Sequence, residues 1–128
     1  LIYALQNNMP YGSLKNQAGS FVKPSLASTS AACAGEMPAD TRAMMTNTSD
    51  PQGYPIAGFT WILLYKEQSY GNRAKEKADA TVKMLWWMTH EGQKYAEPLE
   101  YSSLPGQAVQ KAEKLIRSIT FNGAPLMK

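Results

Sequence analysis

The sequence predicts an α/β fold, the closing part of a domain whose sheet is not completed within this chain. Three observations carry that reading: an apolar, strand-like run over 56–65 without polar alternation, two amphipathic helical patterns after it, and no second strand of comparable quality among the 128 residues. A strand that lacks alternation is covered on both faces, and its backbone donors and acceptors need neighbours on both sides. The missing strands are therefore expected upstream or on another chain, because an unpartnered central strand exposes ladder groups and apolar faces.

The elements follow in order. Residues 1–5 are apolar throughout and too few to assign to a strand end or a helix start. Asn7, Asn8, Pro10, Gly12, Asn16 and Gly19 then punctuate a polar stretch with turn chemistry. Pro24-Ser25 opens a short helix through Gly35, with Leu26, Thr29 or Ser30, and Cys33 on one side. Residues 36–54 hold two prolines and the polar run Thr46-Asn47-Thr48-Ser49-Asp50, and read as a connector with one helical turn around 41–45. The strand comes next, carried by Phe59, Trp61, Ile62, Leu63, Leu64 and Tyr65. A long helix is predicted over 73–95, with Ala74, Ala78, Val82, Leu85 and Thr89 at helical spacing, Trp86 and Met88 widening the stripe, and Gly92 near the end. Pro105 suits the first turn of a last helix whose apolar face is Ala108, Val109, Ala112, Leu115, Ile116 and Ile119. Asn122-Gly123 turns the chain into a short tail.

Composition excludes several classes of function. Thirteen Lys and Arg against ten Asp and Glu leave a net charge of +3, and the charges are scattered rather than gathered into a nucleic-acid footprint. No apolar stretch approaches the roughly eighteen residues of a membrane-spanning helix. The single cysteine, Cys33, rules out an internal disulfide and reads as a buried, inert thiol. The opening Leu1-Ile2-Tyr3-Ala4-Leu5 is neither an initiator Met nor a secretory signal, so the chain is expected to be a cut, processed or partial product.

Four stretches suggest a family. Tyr54-Pro55-Ile56-Ala57-Gly58-Phe59-Thr60-Trp61-Ile62-Leu63-Leu64-Tyr65-Lys66-Glu67-Gln68 resembles the segment of the phosphate-binding proteins of ABC importers in which the chain returns to its first lobe. Tyr3-Ala4-Leu5-Gln6-Asn7-Asn8 resembles the family segment that follows a glycine-tyrosine strand, and Trp87-Met88-Thr89-His90-Glu91-Gly92-Gln93-Lys94 resembles its long C-terminal helix. Leu99-Glu100-Tyr101-Ser102-Ser103-Leu104-Pro105, with the last helix and Ile119-Thr120-Phe121-Asn122-Gly123-Ala124-Pro125-Leu126, resembles the family's ending.

The resemblance implies the C-terminal part of a type II periplasmic binding protein, two-lobed, with mixed sheets flanked by helices and incomplete on its own. Residues 1–53 would end the second lobe, 54–60 would form the hinge connection, and 61–128 would close the first lobe. The family holds phosphate with serine and threonine hydroxyls, helix N-terminal amides, an arginine and an aspartate, in loops that precede this segment. Nothing here matches those loops, so no phosphate-binding residue is expected in this chain. The implied partners are inorganic phosphate, the upstream portion or a companion chain, and the membrane permease of the importer, in the periplasm. The rival reading is a separate structural or assembly subunit that completes its sheet with a partner or with itself.

No catalytic or metal-binding residue and no cofactor emerge from the other candidates. Thr41-Arg42 and Arg117-Ser118 each set an arginine beside a hydroxyl and read as solvated surface. His90 is the only histidine, no motif surrounds it, and it reads as a helix-end residue. Glu91, Glu97 and Glu100 read as solvated, and Arg73, Lys75, Lys77 and Lys83 as the wet side of a helix. Of Trp86 and Trp87, about 100° apart on a helix, one is expected to face the core and the other a lobe edge. The seven methionines, Met44-Met45 among them, read as scattered gap-fillers. Asn47-Thr48-Ser49 fits a glycosylation pattern too short to carry weight.

Overall fold

In the computed structural model, which describes residues 1–127, the first half of the chain is built from short elements and the second half from a helix pair. Residues 2–6, unassigned from sequence, form the short helix α1 (Ile2–Gln6). The polar stretch after it contains a hairpin not foreseen there, β1 (Leu14–Lys15) against β2 (Phe21–Val22), with Leu14 opposite Val22 and Lys15 opposite Phe21. Gly19, at φ +85°, makes its tight reversal, in a region where a Cβ is unfavourable. Helix α2 (Leu26–Ala32) begins where expected, at Ser25. Its start is a reciprocal cap: Ser28 N–H donates to Ser25 Oγ and Ser25 N–H donates to Ser28 Oγ.

The inner side of α2 differs from the expected one. Ser28, Ala32 and Cys33 are buried, while Leu26 and Thr29 are only half-buried. Ser28 turns inward because its hydroxyl is also within reach of the Lys23 carbonyl at 2.9 Å. The connector over 36–54 is present, but the helical turn expected at 41–45 is not. Thr41 lies at φ +60°, a left-handed conformation that a right-handed helical turn cannot contain.

The largest correction concerns the strand expected over 56–65. Among the described residues none of these ten makes a backbone–backbone hydrogen bond, the Trp61 indole N–H donating instead to the Thr41 carbonyl at 3.0 Å, and no strand forms. Nor is the run covered: Leu63 is 93% exposed, and Trp61, Ile62, Leu64 and Tyr65 are exposed with it. A strand is made by its neighbours, and this chain supplies none alongside 56–65. Pairing starts just past the run, where Gln68 N–H donates to the Thr120 carbonyl and Thr120 N–H to the Lys66 carbonyl, a single parallel bridge. Instead of a large mixed sheet, the described residues hold two two-stranded hairpins beside the helices, a small mixed α/β arrangement.

Helix α3 (Lys75–Thr89) buries Ala78, Val82 and Leu85, three of the residues its periodicity marks. It stops short of the expected 95 because His90 leaves helical geometry, at φ −125° and ψ −102°. The chain continues through the 3-10 turns Glu91–Tyr95 and Glu97–Leu99. Gly92 permits that exit, since a Cβ there would lie 2.9 Å from the Trp87 carbonyl oxygen and 3.1 Å from its ring. Helix α4 (Gly106–Arg117) starts directly after Pro105. Ala108, Ile116 and, just beyond the helix, Ile119 are buried as expected, whereas Leu115 is 41% exposed. The closing hairpin pairs β3 (Thr120–Phe121) with β4 (Ala124–Pro125). Asn122 at φ +51° and Gly123 at φ +77° supply the two positive φ values of its turn.

Two apolar clusters hold these elements. Val82, Leu85, Ile116 and Ile119 join α3 to α4, with Trp86, Leu126 and Met127 packed on them. Burying a side chain such as Val82 stabilises by about 1.5–3 kcal/mol. Cys33, Met37, Ala43, Met45 and Ala108 form the second cluster, with Ala57, Phe59 and Leu104 against it. That cluster ties the end of α2 and the connector to the start of α4, as does a hydrogen bond from Gln107 Nε2 to the Ala34 carbonyl, while Ser102 Oγ, in the loop before α4, donates to the carbonyl of Leu26 at the start of α2.

Candidate functional site

The residues weighed as anion ligands are engaged with other groups. Arg42 pairs with Asp40, its Nε and a terminal nitrogen 2.8 and 2.7 Å from the carboxylate, and this contact lowers the Asp40 pKa. The Arg117 guanidinium lies over the Trp86 ring at 4.8 Å, and Ser118 Oγ donates to the Leu115 carbonyl. A shallow depression of about 370 Å³ beside α2 gathers Ser20, Lys23, Ser25, Ser28 and Gln52. Its two central hydroxyls, Ser25 and Ser28, are occupied with the helix cap and with each other at 3.0 Å.

Other candidates fall into structural positions. Cys33 is buried, and burial raises its thiol pKa, the opposite of an activated nucleophile. Trp86 packs on the α3–α4 cluster while Trp87 is 47% exposed beside Tyr95, the division between core and edge that adjacency on a helix requires. Met45 is buried in the second cluster and Met44 lies outside, 76% exposed. Lys75 pairs with Asp79 one turn on along α3, and Arg73, just before that helix, bonds Tyr70 and Thr81. Among the described residues no group of His, Cys, Asp and Glu is placed to hold a metal. No helix there is long and apolar enough to cross a membrane.

Three polar knots were not legible from the sequence. Asn16 is buried: Ser20 N–H donates to its Oδ1, and its Nδ2 lies 3.2, 3.0 and 3.2 Å from the carbonyls of Asp50, Pro51 and Gly53. It pins the first hairpin to the connector. Glu67 gathers the closing hairpin, accepting from Thr120 Oγ1 at 2.7 Å and from the N–H groups of Ser69, Asn122 and Gly123. The Thr120 hydroxyl, then Ser69 and Gly123, pull its pKa down to about 2. At the end of α3, His90 stacks on Trp86 at 4.1 Å and reaches Glu113 of α4 at 3.0 Å.

What remains open is apolar surface. Trp61-Ile62-Leu63-Leu64-Tyr65 is a continuous exposed run, and Met84, Trp87 and Met88 are exposed on α3 with Tyr95, Leu99 and Tyr101 beyond it. Single exposed apolar side chains are ordinary, but five in sequence mark a surface made for contact. Its chemistry suits packing and strand pairing rather than binding a small anion.

No family model matches the chain. It is 34% identical over 116 residues to the phosphate-binding protein PstS of Xylella fastidiosa, strain 9a5c. Identity is 32% over 114 residues to PstS of Pasteurella multocida and 31% over 103 residues to PstS of Methanocaldococcus jannaschii. These likenesses take in 88%, 87% and 73% of this chain. They cover 31%, 32% and 26% of those proteins, so the chain spans about a third or less of the length of the curated relatives it matches. The class they define is that of phosphate-binding proteins. The resemblance read from the four stretches is thereby shown: this chain is a relative, over most of its length, of the proteins named PstS.

Proposed function

We propose that the chain is one segment of a two-lobed, type II solute-binding protein that captures inorganic phosphate and delivers it to the membrane permease of an ABC importer. The carrying observation is the 34% identity to a phosphate-binding protein over 88% of the chain. In this reading residues 1–53 end the second lobe, 54–60 are the hinge, and 61–128 close the first lobe. The anion's ligands lie in the upstream portion. The exposed run at 61–65 supports the reading, because it has strand composition and no partner here. Closure of the lobes on phosphate is a population shift toward the state that contacts the anion from both sides, and the hinge absorbs the rotation. No bond in the ligand is made or broken, so the protein is a receptor and not an enzyme. It works in the periplasm.

Calorimetric titration with phosphate tests this. The chain joined to its upstream portion is expected to bind tightly and the 128-residue chain alone to give no saturable heat. Tight binding by the chain alone, or none by the joined protein, contradicts the proposal.

The exposed run also favours a second reading, a structural or assembly subunit that completes its sheet with a partner chain or another copy. Sedimentation of the chain alone separates the two. A stable, concentration-dependent oligomer with 61–65 protected from hydrogen exchange supports the assembly subunit, and its absence supports the receptor segment.

A further inference from the structure

The single histidine sits where α3 ends, and its two ring nitrogens face two acceptors. Nδ1 is 2.8 Å from the Trp86 carbonyl, a group with no proton to give, so Nδ1 must donate in that contact. Thr89 Oγ1, 3.1 Å from Nδ1, lies 3.1 and 3.0 Å from the Leu85 and Trp86 carbonyls, to which its own proton can go. Nε2 is 3.0 Å from Glu113 Oε1 on α4. A neutral imidazole carries one N–H and cannot serve both contacts while Glu113 is ionised: whichever nitrogen is bare points its lone pair at an oxygen. Holding both at once takes one more proton than neutral His90 and ionised Glu113 possess.

We propose that His90, Glu113 and the Trp86 carbonyl form a proton-operated clasp that ties the C-terminal end of α3 to α4. With the proton in place, imidazolium bridges the last turn of α3 to the Glu113 carboxylate. When the proton leaves to solvent, one of the two contacts becomes repulsive and the end of α3 is released. The ring is held flat for this purpose by Trp86, whose plane lies 15° from its own.

The charges facing the ring set the direction. Glu113 across the helix pair and Glu91 next in the chain favour protonation, partial burial opposes it, and the Arg117 guanidinium lies over the Trp86 ring that the imidazole stacks on. The Trp86 carbonyl and then the two carboxylates raise the His90 pKa above its usual 6.5. A raised folded value makes the clasp's contribution complete below about pH 6.5 and lost as pH rises through the folded value. The site of release matters, because Gly92 and the turns over 91–99 follow directly and carry the exposed Tyr95 and Leu99.

The test is nitrogen NMR on the complete protein labelled in histidine, with the His90 signals identified by their loss in His90→Gln. Both ring nitrogens are expected to be protonated at about pH 6, with a midpoint above 6.5 that falls toward 6.5 in Glu113→Gln. Hydrogen-exchange protection at the end of α3 is expected to drop across that midpoint in the parent protein, by up to about tenfold for each unit by which the pKa is raised. It should stay level in Glu113→Gln, whose amide accepts from or donates to either ring nitrogen. A His90 midpoint at or below 6.5, a midpoint unchanged by Glu113→Gln, or protection that ignores pH in the parent protein overturns the clasp. Phosphate binding enters none of these readouts, so their failure leaves the receptor proposal standing.

Discussion

Asn16 and Glu67 show how single polar residues hold short elements that have little apolar surface of their own. Asn16 Nδ2 shares its two protons among the Asp50, Pro51 and Gly53 carbonyls, of which Asp50's also accepts from the Gly53 N–H. Asn16→Ala is expected to cost about 1–3 kcal/mol in urea unfolding of the complete protein, the desolvation of groups left without partners. Glu67 is exposed, and its role is read from pH. Its folded pKa of about 2 lies below its ordinary 4.5, so its contribution is complete above about pH 4.5 and lost as pH falls toward 2. Acid unfolding of Glu67→Gln is expected to have a shallower pH dependence over that window than the parent, by about one proton. An identical slope in the two proteins would mean that the knot around Thr120 and Gly123 does not form.

At the scale of elements, legibility followed periodicity. The α3 and α4 patterns span several turns, so Ala78, Val82, Leu85, Ala108 and Ile116 could be marked as inward-facing from spacing alone. Pro24-Ser25 marked α2 through capping chemistry, although the side it buries depends on a hydroxyl that spacing cannot reveal. The β1–β2 hairpin was not legible, because two-residue strands are too short to show alternation. The end of α3 was placed too late because the rupture at His90 depends on the packing of Gly92 against Trp87, a contact with no local pattern. The run at 56–65 has the composition of a buried strand yet is largely exposed, which missing partners or a misread pattern would each produce. Leu63 separates these explanations. Leu63→Asp should change the stability of the chain alone by no more than about 0.5 kcal/mol, as for a surface site, and cost about 3 kcal/mol or more in the complete protein. Equal, small effects in both would place Leu63 at a true surface.

At the scale of the whole molecule, the chain spans about a third or less of the length of the relatives it matches. The relatives it matches bear the name of phosphate-binding proteins, while here Arg42 pairs with Asp40, Arg117 lies over the Trp86 ring, and Ser25 and Ser28 cap α2. Its distinctive surface is apolar, and that surface is what a completed sheet would cover. The sequence placed no phosphate-binding residue here and read Trp61-Ile62-Leu63-Leu64-Tyr65 as a covered strand, where the structure has an exposed run. Hydrogen exchange at residues 61–65 tests this division most directly, compared between the chain alone and the chain joined to its upstream portion. Those amides should exchange freely in the chain alone and become as protected as those of α3 in the joined protein. Free exchange in both would contradict the account, since the run would then be no strand of any sheet.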